Sequence, residues 1–440
     1  MTTTPVTGTP GSSQRTAPAL SGRVWTSIVL VGLVGQLAWT IENMYLNVFV
    51  YDTITDNPAV LALMVAASAV SATIATMLLG AASDRVRRRR EFIAIGYVLW
   101  GLTTATFGFL SVDGIRELAA VGDAVVLTVL AVILLDCLMS VLGAGANDAA
   151  FNAWVTESTV PANRGRVDSV LAILPLLAML IVFGALDGLT QAGAWREFFL
   201  LIGGATSLVG VVAWFLVRDP VTVTPLPGGY FSAVVAGLRP SAVRQNPTLY
   251  VTLVCLAIVG TSTQVFLPYL IIYIQRTLQI DGYAIVLGTV LVTASVLSVL
   301  GGRLIDRFGK VRSITPAVAI LAAGLILMFF ARDMVPVILA GIVMMTGFML
   351  SIATLSATVR DHTPTDRVGS VQGLRMIAAV LIPMVAGPFI GAAVIVGAAE
   401  TYVDLGVEKQ VPTAWIFLAA AAVLVVAILP IRALIRRTAA

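Results

Sequence analysis

The sequence predicts an all-α membrane protein: twelve transmembrane helices in two pseudo-symmetric six-helix bundles, with both termini cytoplasmic. Three observations carry that expectation. Of 440 residues, 58% are hydrophobic and only 11% charged, with a mean hydropathy of +0.97, whereas a soluble domain carries about 25% charged residues. The apolar residues gather into twelve runs, each long enough for the roughly 20 residues that a helix needs to cross a bilayer. The loop motifs of the first half recur in the second.

The runs fall at 25–51, 58–82, 92–111, 124–150, 168–188, 196–217, 248–274, 282–303, 312–331, 335–358, 372–398 and 413–434. Unpaired backbone groups cost several kcal/mol each in lipid, so such runs must be helices or a closed barrel. They are too long and too uniformly apolar for barrel strands. Residues 1–24 read as a disordered cytoplasmic tail rich in Thr, Ser and Pro, with no signal-peptide pattern. The bundles are expected at 25–217 and 248–434. A proline-rich cytoplasmic linker, 218–247, joins them and carries an amphipathic stretch around Tyr230–Leu238; residues 435–440 form a second tail.

Charge sets the orientation. Of 27 Lys and Arg residues, 22 fall in the tails and even-numbered loops; the odd-numbered loops hold only Arg116, Arg196, Arg276, Arg332 and Lys409. The positive-inside rule makes the tails and even loops cytoplasmic, as in a multi-pass protein of a bacterial-type plasma membrane. A net charge of +4 does not suggest a nucleic-acid surface. The two cysteines, Cys137 and Cys255, lack metal-ligand spacing, and with a single histidine, His362, metal or His-based catalysis is not expected. No P-loop or nucleophile motif is present, so the chain reads as neither enzyme nor ATP-driven pump, with no cofactor.

The loop after the second run contains Gly80, Asp84 and Arg85 followed by Arg87–Arg90; the loop after the eighth contains Gly302, Asp306, Arg307, Gly309 and Lys310. The two Asp-Arg pairs lie 222 residues apart, about half the chain. Thr159 to Arg164 is echoed by Thr363 to Arg367, and Tyr45-Leu46 by Tyr269-Leu270. This Gly-x3-Asp-Arg-x-Gly-Arg/Lys pattern resembles the signature of the major facilitator superfamily. The first copy departs by placing Arg87 where glycine is usual. The resemblance implies two bundles working by alternating access around a site at mid-depth. The small Gly80 and Gly302 would let helices approach, and Asp84 and Asp306 would accept hydrogen bonds across a cytoplasmic latch that also involves Arg85, Arg307, Arg164, Arg367 and Arg375. For Arg87–Arg90, the preferred reading is that they only enforce topology.

Ionisable groups within membrane helices mark functional sites by default. Three stand out: Glu42 in the first helix, and Asp136 and Asp148 in the fourth. Aligning the halves puts Phe266, Leu339 and Ser351 opposite them. Scaffolding demands act on both copies alike, so acids confined to one half point to a task held by that bundle. In the first helix, Gln36, Thr40, Asn43 and Asn47 form one polar stripe, with Trp39 and Glu42 on the next. Amides, a carboxylate and an aromatic face are what a sugar pocket needs. The competing reading is that such residues hold helices together. At 100° per residue, Asp136 and Asp148 project about 120° apart, so only one can face a cavity squarely. Gln264 and Tyr269, beside Pro268, are candidate contacts from the second bundle, with helix packing as the alternative.

The run from Asp148 through Asn152 and Thr159 to Arg164 resembles the end of the fourth helix in glycoside-pentoside-hexuronide:cation symporters, the melibiose-permease-like branch. The stretch from Thr363-Pro364 through Gln372 and Arg375 to Pro383 and Pro388 also resembles bacterial sugar-symporter relatives of that family. The resemblance implies an Asp148 that contacts sugar hydroxyls. It does not extend to that branch's second-helix acids, since residues 58–82 offer only Ser68, Ser71, Thr73 and Thr76 as polar groups. Proton coupling is therefore expected over sodium, because a desolvated, unpaired carboxyl can load and release a proton. Glu42 or Asp136 would be the carrier, with Asp148 the further candidate. The function expected is cation symport of a sugar or glycoside into the cell. The alternative is proton-coupled efflux of a drug or metabolite, which a broad, mostly apolar pocket would favour. The partners expected are that small molecule, a coupling cation and the lipid bilayer, with no nucleic acid, and the chain is expected to be monomeric.

Overall fold

The computed structural model describes residues 20–118, 123–159, 161–219, 240–280, 282–363, 368–404 and 407–439. Twelve helices are long and apolar enough to span a membrane. In chain order they are α1 Gly22–Thr53, α2 Pro58–Ser83, α3 Arg89–Phe109, α4 Ala124–Ser158, α5 Val170–Gln191, α6 Trp195–Leu216, α7 Pro247–Thr277, α8 Tyr283–Gly302, α9 Lys310–Phe330, α10 Met334–Asp361, α11 Gly373–Ala398 and α12 Trp415–Arg437. Their starts follow from local chemistry. Asn57 caps α2 through its side chain with Pro58 in the first turn, and Asp123 caps α4 by accepting from the Val125 and Val126 amides.

In the first half α3 packs along α6, α1 along α5 and α6, and α2 along α4; in the second, α9 packs along α10 and α7 along α11 and α12. The halves meet where α2 runs beside α11 and α5 beside α8. Without a hydrophobic drive between helices in lipid, close approach depends on small residues. At Gly101 of α3 and Gly203 of α6, a Cβ on either would run into the other's carbonyl oxygen. An aromatic cluster of Phe49, Phe107, Trp195, Phe198 and Phe199 fills the first half near its odd-loop end, with ring centroids 5.1–6.2 Å apart.

Two features go beyond the sequence reading. An antiparallel hairpin, β1 Thr401–Asp404 and β2 Val407–Gln410, lies between α11 and α12. Five spans also contain a wide π-helical turn: Ile41–Tyr45, Ala144–Phe151, Val182–Leu186, Tyr273–Thr277 and Ile377–Leu381. One extra residue in a turn advances everything beyond it by about 100°, so faces drawn with a regular period break there. Most of the expected linker and N-terminal tail, Tyr230–Leu238 included, lies outside the described residues.

Candidate functional site

A cavity of about 190 Å³ lies between the halves, walled by α1 and α5 on one side and by α7, α8, α9 and α10 on the other. Gln36, Trp39, Thr40 and Asn43 of α1 supply its polar edge. The Thr40 hydroxyl donates to the Gln36 carbonyl at 2.8 Å, and the Asn43 Nδ2 to the Trp39 carbonyl at 2.8 Å. Thr40 Oγ1 is thereby left to accept, while Asn43 keeps one N–H donor and the acceptor Oδ1. The rest of the wall is apolar and rich in methionine: Met44, Met179, Met328, Met344 and Met345. No Asp, Glu, Lys, Arg or His lines it among the described residues.

The remaining residues expected to bind substrate lie outside this wall. Asn47 is buried and donates to the Asn43 carbonyl at 3.1 Å, because the wide turn at Ile41–Tyr45 rotates it off the stripe. Tyr269, in a tight turn at Leu267–Tyr269, hydrogen-bonds the carbonyls of Pro58 (3.1 Å) and Pro388 (3.0 Å). Gln264 packs against Gly387, where a Cβ would clash with it. Asn152 is exposed, its amide 3.2 Å from the Asp148 carbonyl.

The acids form a separate group inside the first bundle. Glu42 is 6% exposed and Asp136 2%. The Ser140 hydroxyl of α4 donates to Glu42 Oε1, while the Ser68 hydroxyl of α2, a neighbour of Asp136, donates to the Val65 carbonyl at 3.0 Å. Glu42 Oε2 and Asp136 Oδ1 have no partner, and no ion pair reaches either acid among the described residues. Asp136, and more weakly Asp148, press their like charge on Glu42. Asp148 is half-buried in the wide turn Ala144–Phe151. It accepts from Asn147 at 2.9 Å and lies within reach of the Trp39 indole. Asn147 Oδ1 in turn takes the Tyr97 hydroxyl at 2.9 Å. A Cβ at Gly35 would collide with both Tyr97 and Asn147, so glycine there admits the network. Trp39 joins the two regions: one part faces the cavity, its indole reaches toward Asp148, and its ring packs on Trp100 at 5.3 Å. Arg375, expected at the cytoplasmic latch, reaches Ser356 at 3.5 Å in the second half and is not paired with these acids among the described residues.

A fourth buried acid went uncounted in the sequence reading. Asp187, at the odd-loop end of α5, is 3% exposed. Its Oδ1 accepts from Tyr45 of α1 at 2.9 Å, from Tyr283 of α8, and from Thr190 at 3.3 Å; its Oδ2 accepts from Gln191 at 2.5 Å. The Tyr283 bond crosses between the halves. Four more contacts close this face: Arg276 to Asp52 at 2.8 Å, the Gln410 amide to Asp56 at 2.7 Å, Tyr51 to the Gln410 carbonyl at 2.5 Å, and Tyr269 to the Pro58 carbonyl at 3.1 Å. Among the described residues, no hydrogen bond joins the halves at the even-loop face.

At the even-loop face the side chains of Asp84, Arg164, Asp306 and Arg367 lie outside the described residues. Gly80 meets Ala149 at ordinary contact distance, and nothing lies within 4 Å of a Cβ at Gly302, so neither glycine is demanded by packing in this form. Arg85 and Arg307 are exposed. Lys310 pairs with Asp361 at 2.6 Å. The view of Arg87–Arg90 as topology signals alone needs correction. Arg89 is buried, pairing with Glu157 of α4 at 2.7 Å and with Ser83, and Arg90 covers the Trp214 ring at 4.6 Å. Arg87 adopts the left-handed conformation at φ 57°, ψ 29°, whereas its repeat mate Gly309, at φ 90°, ψ 141°, sits in a different positive-φ region that favours glycine.

A cavity between two related six-helix halves, closed toward one face, is the architecture of an alternating-access membrane transporter. The family model of the Major Facilitator Superfamily matches residues 28–388 and 252–440, and the chain belongs to that superfamily. It is a transporter, not an enzyme. Among solved structures, it resembles the nucleoside transporter NupG (13% identity, TM-score 0.70, covering 94% of this chain and 99% of that one). It also resembles a bacterial homolog to the human lysosomal transporter Spinster in an inward-facing and occupied conformation (14%, 0.71, 94% and 96%). The xylose transporter XylE from E. coli, in a partially occluded inward open conformation, is similar at 16% identity and TM-score 0.62, covering 93% and 97%. Curated proteins yield no significant match.

Proposed function

We propose that this chain is a proton-coupled secondary transporter of a small neutral solute of the sugar or glycoside class, with Glu42 and Asp136 carrying the proton. One observation carries the reading. Two buried carboxyl groups each keep an oxygen without a partner and, among the described residues, pair with no cation. As anions they are costly in so dry a site, and a proton is the smallest counter-charge that removes the cost. Because they lie apart from the cavity wall, cargo and proton occupy different places, linked through α1 and Trp39. Asp148 orients Trp39. With the odd loops outside, as the charge distribution requires, the closed Asp187 face is extracellular and the form described is inward-facing. The motif residues around Asp84 and Asp306 then act at the cytoplasmic face as that side closes.

The sugar class rests on the resemblance of the Asp148–Arg164 run to cation symporters and on neighbours named as nucleoside and xylose transporters. Efflux of a drug or metabolite is a second reading, favoured by the apolar wall. In proteoliposomes with an imposed pH gradient, wild type should accumulate substrate uphill. Glu42→Gln and Asp136→Asn should lose accumulation while keeping exchange; undiminished accumulation in both refutes the proposal. The sign of the gradient that drives accumulation separates uptake from efflux.

A further inference from the structure

We infer that the central cavity selects an uncharged amphipathic solute, with hydroxyl or amide groups along one edge and a lipophilic body. An aryl glycoside is the simplest representative. The inference rests on the reading of this cavity as the cargo site. Three features of the wall point the same way.

The polar capacity is one-sided. Among the described residues every hydrogen-bonding side chain at the wall belongs to α1, where Thr40 has spent its hydroxyl hydrogen, and Asn43 one of its two amide hydrogens, on their own helix. The free groups are the Gln36 amide, the second Asn43 N–H and the Thr40 and Asn43 oxygens, so the matching edge of the cargo must carry groups that both donate and accept, as hydroxyls do. A free hexose carries hydroxyls around its whole ring. Bound here, those turned toward the second bundle would meet Leu291 and Met345 and leave their hydration unreplaced, which is unfavourable for each group. Replacing those hydroxyls with an aryl or alkyl group converts the same contact into apolar burial.

No charged side chain lines the cavity among the described residues. An anionic or cationic cargo would enter without a counter-charge, so the wall discriminates against both signs. The acids are not available for that role, since Glu42 and Asp136 are buried within the first bundle. The abundance of methionine gives the lipophilic side a soft, adaptable surface that tolerates different bodies.

The test uses one matched set in proteoliposomes under a pH gradient: glucose, p-nitrophenyl β-glucoside and p-nitrophenyl β-glucuronide. Protection of a Met345→Cys variant from maleimide reads occupancy independently of transport. The neutral aryl glucoside should be carried at least about 10-fold more efficiently than either comparator and should alone protect the cysteine, as expected for burial of one aryl ring. Leu291→Gln should narrow the aryl preference, whereas Gln36→Ala should weaken aryl glucoside and glucose alike. Glucose or the glucuronide carried as well as the aryl glucoside overturns the inference, as does a set in which no member is carried or protects. Aryl-glucoside transport that ignores the pH gradient leaves the substrate class standing and refutes proton coupling instead.

Discussion

Tyr45 and Tyr283 donate to the same oxygen of Asp187, but only Tyr283 does so from the opposite half. Removing each hydroxyl therefore separates a conformational effect from a purely structural one. A hydrogen bond to a charged acceptor contributes about 1.5–3 kcal/mol net. In Tyr283→Phe the closed form loses that amount, while the form opened at this face, where water takes the hydroxyl's place, loses little. Since about 1.4 kcal/mol is tenfold in an equilibrium constant, the closed population should fall roughly 10- to 100-fold relative to the open one. The Arg276–Asp52 and Asp56–Gln410 contacts remain in both cases. Tyr45→Phe breaks a bond inside one bundle, so it should lower the melting temperature without moving that equilibrium. Spin labels on Glu117→Cys and Asp333→Cys, exposed on the odd-loop face of opposite halves, report the opening through their distance distribution. A Tyr283→Phe distribution identical to wild type, or an equal shift in Tyr45→Phe, refutes the reasoning.

Arg89→Ala leaves Glu157 without its buried partner and should cost about 3–5 kcal/mol, read as a large drop in melting temperature; Arg85→Ala, at an exposed position, should stay within about 0.5 kcal/mol. At the repeat-related loop position, Arg87→Gly should be neutral or stabilising by up to about 1 kcal/mol, because glycine enters the left-handed region freely. Gly309→Ala should cost about 1–3 kcal/mol from backbone conformation alone, since no atom lies within 4 Å of the added Cβ; denaturation midpoints compare the two. Gly35→Ala pushes a methyl into Tyr97 and Asn147 and should impair transport more than Gly302→Ala, measured at equal protein in vesicles.

Span number, repeat and superfamily were legible in the sequence because hydropathy and loop charge act residue by residue. The polar edge of the cavity was also legible, since Gln36, Trp39 and Thr40 precede the wide turn in α1 and Asn43 lies early in it. Through that turn the period fails, so Glu42 within it bonds Ser140 of α4 and Asn47 beyond it leaves the stripe. The role of Arg89 depends on Glu157, 68 residues away, and no spacing rule connects them. Asp187 lay inside a predicted span yet was passed over, because its meaning comes from tyrosines on α1 and α8 that only the packed fold brings to it. The hairpin at Thr401–Gln410 is short and polar, and its closing contacts run to Tyr51 and Asp56 near the start of the chain.

The central claim is that Glu42 and Asp136 hold an exchangeable proton inside the first bundle. Infrared difference spectra of the membrane-reconstituted protein between acid and alkaline pH observe the protonated carboxyl stretch directly and need no substrate. The account predicts a carboxyl band in wild type that shifts in D2O and is lost or displaced in both Glu42→Gln and Asp136→Asn. A band unchanged by either substitution, or no carboxyl band at all, would contradict it.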